Sequence, residues 1–295
     1  MRDLAGKTAF ITGGDSGIGF GVAQVLCQAG MNVVICGVVA ETLASAQREL
    51  ASIGKAEAES IQLDVRDREA FAAVADRLDA DYGGVDVLVN NAGVGFLAPL
   101  AEATFEQWDW VLDINLTGVF NGIRTFLPRM LASGRPGHIV STASIGGLLG
   151  TPGALYVAAK FGVVGLMEAL AAELRGTPVN VSVLTPGIVR TNIHKGPPPP
   201  GEPRTHAPSA TAEADLHEAA IQPREVGERV LQAIQEERLY VLTHAEHREL
   251  LARRFDAILA SVPTDQGDPR RAAVERTVLA NPIYDEILTA KGARR

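Results

Sequence analysis

Cysteine is scarce: Cys27 and Cys36 are the only two in 295 residues. One falls in a helical pattern and the other in an apolar strand. Both read as buried free thiols of a reducing compartment, not as a disulfide framework. Basic excess is lacking too. Lys and Arg total 27 against 35 Asp and Glu, for a formal net charge of −8 and a pI near 5.3. A phosphate backbone wants a basic face, so nucleic acid is excluded as the main partner. The 6 histidines show no ligand spacing, and no metal is expected. Internal repeats are missing. Residues 1–7 are polar and lead straight into a strand, without the apolar run of a signal peptide or membrane span. A cytoplasmic protein with no membrane partner is expected. What is present, 46% hydrophobic and 21% charged residues, is an ordinary globular composition on a chain long enough for one large α/β domain.

Apolar runs at 8–12, 32–36, 60–63, 85–90, 138–142, 179–184 and 239–243 read as strands. Between them 17–29, 41–53, 68–82, 105–131, 156–175 and 224–236 carry helical spacing, with 105–131 as one long helix. Strands that are apolar throughout and alternate with helices form a parallel sheet buried on both faces. Right-handed crossovers make it doubly wound. The expected fold is a single α/β domain with a parallel sheet of about seven strands and helices on both faces. Residues 196–214, beginning GPPPPGEP, have no periodicity and read as a mobile loop. A helix over 246–261 and a helical, amphipathic stretch over the last thirty or so residues complete the chain. The division is a catalytic domain over 1–245, with a substrate lid at about 190–220, and a helical extension over 246–295 packed on it.

Between the first strand and the first helix stands Thr12-Gly13-Gly14-Asp15-Ser16-Gly17-Ile18-Gly19. Glycine permits a tight turn and the close approach of a pyrophosphate, and the helix N-terminus offers free N–H groups and a positive dipole. In that position the turn points to a Rossmann-type domain that binds a dinucleotide. Tyr156 and Lys160 lie i and i+4 on one helix and share a face. A neighbouring ammonium lowers a phenol from its usual value near ~10, which suits Tyr156 to general acid/base work. Ser144, after the fifth strand, can donate a hydrogen bond to a substrate oxygen where charge develops.

Further motifs follow in a set order: Asp64-Val65 at the end of the third strand, Asn90-Asn91-Ala92-Gly93 at the end of the fourth, Asn115 within Asn115-Leu116-Thr117-Gly118, Ser144, Tyr156-x-x-x-Lys160, then Pro186-Gly187 with Thr191 beyond it. Together with Gly13-x-x-x-Gly17-x-Gly19 they make the chain resemble the short-chain dehydrogenase/reductase family over about residues 5–245. The resemblance implies reversible hydride transfer between a secondary alcohol or ketone and NAD or NADP. It implies Asn115, Ser144, Tyr156 and Lys160 as catalytic residues, with Asn115 holding a water that links Lys160 to solvent. It implies that Gly13, Asp15, Ser16, Gly17, Ile18, Gly19, Gly37, Ala92, Gly93, Pro186 and Gly187 border the cofactor. Asp64 would bind the adenine amino group, with Val65 flanking the ring and Asn91 at the adenosine ribose. Ile188 and Thr191 would hold the carboxamide, and Lys160 the nicotinamide ribose. Asn90 would mainly tie neighbouring strands. Ser144 precedes Tyr156 by one residue fewer than is usual, which places a deletion in 150–155 and leaves Ser141 the weaker candidate.

One place departs from the pattern. The second strand ends in Gly37, where NAD-preferring relatives carry Asp, and neither Ser16 nor Val38 is the cation usual for NADP. Weak discrimination with a slight lean to NAD is expected. Val94, Gly95, Phe96, Leu97, Leu148 and Leu149 would line an apolar substrate cleft. The segments at 126–130, 137–140 and 239–244 resemble a subgroup with a C-terminal extension that includes Cα-dehydrogenases of lignin-type aryl ethers. A hydrophobic, aromatic secondary alcohol is the implied substrate. A steroid or other lipophilic hydroxy compound is the alternative within enzymes, and a non-catalytic NAD(P)-binding regulator the alternative outside them. The family's pairing of helices 105–131 and 156–175 as a four-helix bundle implies a homodimer or homotetramer.

Overall fold

A computed structural model describes residues 1–96, 98–193, 218–264 and 267–292. Its centre is a seven-stranded, wholly parallel sheet in the order β3-β2-β1-β4-β5-β6-β7. The strands are β1 (Thr8–Thr12), β2 (Asn32–Gly37), β3 (Ala58–Gln62), β4 (Val87–Asn90), β5 (Gly137–Thr142), β6 (Val179–Thr185) and β7 (Tyr240–Leu242). Every residue of β1, β4 and β5 is buried, as strands covered on both faces require. The order reverses between β1 and β4, and the crevice at the strand C-termini opens there.

Helices α1 (Gly17–Gln28), α2 (Ala40–Ile53) and α7 (Pro223–Glu236) cover one face. Helices α3 (Arg68–Tyr82), α5 (Gly118–Ser133) and α6 (Ala154–Glu173) cover the other, where Phe10, Phe71 and Phe126 interlock with ring centroids 5.2–6.5 Å apart. The single long helix expected over 105–131 is divided. α4 (Phe105–Leu112) runs into a π-turn at Asp113–Thr117 and then α5. The widened i→i+5 turn is a local insertion into a helix, which leaves the apolar period almost intact and so escapes a periodicity reading. α6 is long and apolar enough to cross a membrane by length and composition, and its Val163, Val164, Met167 and Leu170 pack into the core on this face of the sheet.

The C-terminal extension forms α8 (His247–Ala260), α9 (Pro269–Val278) and α10 (Pro282–Gly292). The amphipathic reading fails for α9, which buries no residue. α10 inserts Ile283 into the core beneath α6. Both Tyr240 and Tyr284 donate to the Glu168 carboxylate, at 2.6 and 2.9 Å. The segment 194–217, with most of the lid and loop readings, lies outside the described residues.

His138 is fully buried in β5, and burial pushes its imidazole down to about 3. The Ser182 hydroxyl donates to the Arg238 carbonyl (2.5 Å). Its oxygen therefore accepts from His138 Nε2 (2.8 Å), and Nδ1 stays without a partner. A second proton has nowhere to go. A histidine with a depressed folded value supports the fold fully above its unfolded value of ~6.5 and withdraws that support as pH falls toward the folded value. Unfolding between pH 6.5 and 3 should take up about one proton fewer in His138→Asn than in the parent. The slope of denaturant stability against pH measures this.

Candidate active site

The glycine-rich turn connects β1 to α1 and is tied to the end of β4. Thr12 Oγ1 accepts from the backbone N–H of Asn91 (2.9 Å) and Ala92 (3.0 Å). Asn91 Nδ2 donates to the carbonyls of Thr12 and Gly13, each at 3.2 Å. A Cβ on Gly19 would stand 2.1 Å from the Gly13 carbonyl, so only glycine lets α1 start this close to the turn. Ser16, the N-cap of α1, makes no side-chain capping bond. The first turn of α1, with Ile18, thus keeps N–H groups and a positive dipole for an anion. Thr191 packs directly against Gly17: a Cβ there would stand 3.1 Å from Thr191 Cγ2. The residues present fit a dinucleotide pyrophosphate.

The remaining candidate cofactor residues lie as follows. Asp64 is held by the Arg66 guanidinium, with contacts of 2.6 to 3.1 Å, and that hydrogen bond keeps its carboxyl below the usual range. Val65 is buried against Gly118, where a Cβ would come within 2.7 Å, and its carbonyl accepts from Asn121 Nδ2. Its side chain is thus a core residue. Pro186 O accepts from Ile145 N (2.9 Å), which ties the Pro186-Gly187-Ile188 turn to the segment after Ser144. Ile188 and Ile193 are exposed in this crevice mouth. Ile193 faces Gly95 at 3.5 Å from a Cβ built there. Leu97 lies outside the described residues.

The four candidate catalytic residues converge on the end of β5. Ser144 caps the short 3₁₀ turn Ile145–Gly147, its Oγ accepting from the Gly146 N–H (3.1 Å), and its side chain lies close enough to the Tyr156 phenol, in the first turn of α6, to favour the phenol's ionised form. Lys160 Nζ lies 5.5 Å from the Tyr156 ring centroid and donates to the Thr142 carbonyl (2.9 Å). Asn115 is fully buried in the π-turn. Its amide pairs with the backbone of Val94, accepting from N–H at 3.1 Å and donating to C=O at 3.0 Å. A Cβ on Gly93 would meet Asn115 Oδ1 at 2.7 Å and Lys160 Nζ at 3.5 Å, so that glycine leaves the space the two polar groups share. Ser141 is turned the other way. It is buried, and its oxygen accepts from Asn90 Nδ2 (3.2 Å).

The electrostatics differ in part from the sequence expectation. Burial pushes Lys160 down to about 8, so the ammonium is itself costly here. Burial raises the Tyr156 phenol and the Ser144 hydrogen bond partly offsets this. The simple lowering expected from an i, i+4 lysine is not what the desolvated helix face produces.

Residues the sequence reading passed over also build the site. Thr142 accepts from Lys160 and donates its hydroxyl to Asn91 Oδ1 (3.3 Å). At the β7 end, Gly187 N–H donates to Thr243 Oγ1 (3.2 Å), which lies 2.7 Å from His244 Nδ1. His244 Nε2 lies 3.2 Å from the Ile188 carbonyl, which can only accept, so Nε2 carries the proton. His247, from α8, stacks on His244 with centroids 5.0 Å apart and packs under Gly187. The extension therefore reaches the turn beside the crevice. No short spacing in the sequence signals it, because these groups meet across more than fifty residues.

A short chain dehydrogenase family model matches residues 7–198. The chain is 38% identical over 282 residues to a C alpha-dehydrogenase of Sphingobium sp., with 92% of each protein covered. The apo structure of LigD from Sphingobium sp. strain SYK-6 superposes with a TM-score of 0.76 at 38% identity, over 89% of this chain and all of that one. A short-chain dehydrogenase/reductase from Burkholderia phymatum, solved in complex with NAD, superposes with a TM-score of 0.81 at 34% identity, over 91% of this chain and all of that one. The chain belongs to the short-chain dehydrogenase family. It is an oxidoreductase acting on CH–OH groups with a nicotinamide dinucleotide.

Proposed function

We propose that this enzyme interconverts a hydrophobic, aryl-bearing secondary alcohol and its ketone, with Tyr156 exchanging the proton at the substrate oxygen. The observation that carries the reading is the Ser144–Tyr156–Lys160 group gathered at the end of β5, with Lys160 Nζ 5.5 Å from the Tyr156 ring centroid and tied to the Thr142 carbonyl. When bound, the nicotinamide gives or takes the hydride. Tyr156 gives or takes the proton, Ser144 fixes the oxygen by hydrogen bonding, and the Lys160 ammonium opposes the cost of ionising the phenol. Asn115 holds the strand end at Val94 in register with Lys160. The roles of Asp64, Asn91, Ile188 and Thr191 toward the dinucleotide follow their places around the crevice.

The aryl preference rests on the similarity to a C alpha-dehydrogenase and on the exposed, apolar Ile188 and Ile193 that follow the Pro186-Gly187 turn; Phe96 and Trp110, edge-to-face at 6.5 Å, are buried in a core cluster. Aryl, steroid and aliphatic secondary alcohols should be compared with NAD⁺ and NADP⁺. The aryl carbinols should exceed the aliphatic alcohols by at least about tenfold in kcat/KM, the scale of a few apolar contacts. A steroid preference, or dinucleotide binding without turnover on any alcohol, overturns the reading.

The extension over 246–295 is assigned to the same domain as 1–245, supported by the Glu168 clasp and the Arg175–Glu286 pair. A homodimer or homotetramer is proposed through α4–α5 and α6, supported by the exposed Phe105, Trp108 and Phe120. Sedimentation at micromolar concentration should show no monomer peak.

A further inference from the structure

Gly37, at the end of β2, is the position where a Rossmann domain places the carboxylate that accepts from the ribose 2′-OH. The space over it is filled from another element. A Cβ built on Gly37 would stand 2.7 Å from Asp15 Oδ1, 3.0 Å from its Cγ and 3.4 Å from Oδ2. The carboxylate of the glycine-rich turn therefore lies where a side chain of residue 37 would begin. It is anchored there by Thr42 in the first turn of α2, whose hydroxyl lies 2.5 Å from Asp15 Oδ2. Oδ1 has no hydrogen-bond partner, and Asp15 no ion pair, among the described residues. Next to it Val38 and Val39 are exposed and apolar.

We propose that Asp15 is the residue that selects NAD over NADP, supplying from the β1–α1 turn the carboxylate that the end of β2 lacks. This rests on the dinucleotide oxidoreductase reading above. One oxygen is spent on Thr42, which fixes the carboxylate's direction. The other is left to accept from a ribose 2′-hydroxyl. A 2′-phosphate in the same place would bring a second anion against the carboxylate with no Lys or Arg at 16, 37, 38 or 39 to offset it. The weak discrimination expected from the bare Gly37 is thereby replaced by a clear NAD preference. The same geometry reverses the meaning of a substitution at residue 37. Gly37→Asp alone would force two carboxylates into one space, and it should weaken NADH binding instead of strengthening it.

The test is fluorescence titration of NADH and NADPH, without substrate, on the full chain and on Asp15→Asn, Gly37→Asp and the Asp15→Gly/Gly37→Asp exchange. Thermal melts would confirm that each variant folds. The parent should bind NADH at least about a hundredfold more tightly than NADPH. Asp15→Asn should bring the two within about tenfold, chiefly by tightening NADPH. The exchange variant, which moves the carboxylate back to the end of β2, should recover most of the parent's ratio. A parent ratio below about threefold, or one unchanged in Asp15→Asn while NADH still binds, overturns the assignment of Asp15 alone. A parent that binds neither nucleotide overturns the dinucleotide reading and this inference with it.

Discussion

Tyr156→Phe should lower kcat/KM for alcohol oxidation by about a thousandfold, the scale of losing a general acid/base, while NADH affinity stays within about threefold. Only the hydroxyl is removed. The ring stays half-buried in the first turn of α6, and the Lys160 hydrogen bond to Thr142 is untouched. The cradle around Gly13, Gly17 and Gly19 is built by other elements. The pH profile sharpens the test. Burial raises the Tyr156 phenol and lowers Lys160 to about 8. Oxidation needs the phenol to give up its proton, so the parent's kcat/KM should climb with pH. Any residual activity of the variant should lose that limb. Steady-state kinetics over pH 6–10 with a parallel nucleotide titration decides it. Retention of more than a few per cent of activity would remove Tyr156 from the reaction.

Two serines near the end of β5 invite the second comparison. Ser144→Ala should cost about a hundredfold in kcat/KM, as for one lost oxyanion-type donor, with little change in stability. Its hydroxyl touches Tyr156 and the Gly146 N–H (3.1 Å), both at the crevice. Ser141→Ala should do the reverse. Its oxygen is the acceptor for Asn90 Nδ2 in a fully buried place. Asn90 Oδ1 already lacks a partner, and Gly122 packs so close that a Cβ would reach it at 2.1 Å. Stranding the amide should cost about 1–3 kcal/mol of stability, with kcat/KM within about threefold once the protein is folded. Denaturant melts and kinetics on both variants separate the outcomes. A larger catalytic loss from Ser141→Ala would mean that Ser144 is only a cap.

Much of this architecture was legible in the residue order. Buried parallel strands are apolar along their whole length, so β1, β2, β4, β5 and β6 declare themselves within a residue or two. β3 begins at Ala58, earlier than the apolar run suggested, because it is only half-covered and carries Glu59 on its surface. The π-turn was hidden for the opposite reason: one extra residue in a helix hardly disturbs the apolar period.

The sequence by itself determined the parallel α/β class, the position of the glycine-rich turn and the shared helix face of Tyr156 and Lys160. Each of these rests on local spacing: period, turn glycines and an i, i+4 pair. Tertiary structure decided the charges and the substitutions between elements. Lys160 is depressed because α6 lays it against β5, and Ser141 is structural because β4 carries Asn90 beside it. His247 belongs to the crevice wall because α8 returns beneath Gly187. Asp15 stands over Gly37 because β1 and β2 are neighbours and their ends share one crevice. A carboxylate missing from one strand end could be supplied from the next turn in space. Spacing along the chain records neighbours in sequence, and burial and charge depend on neighbours in space.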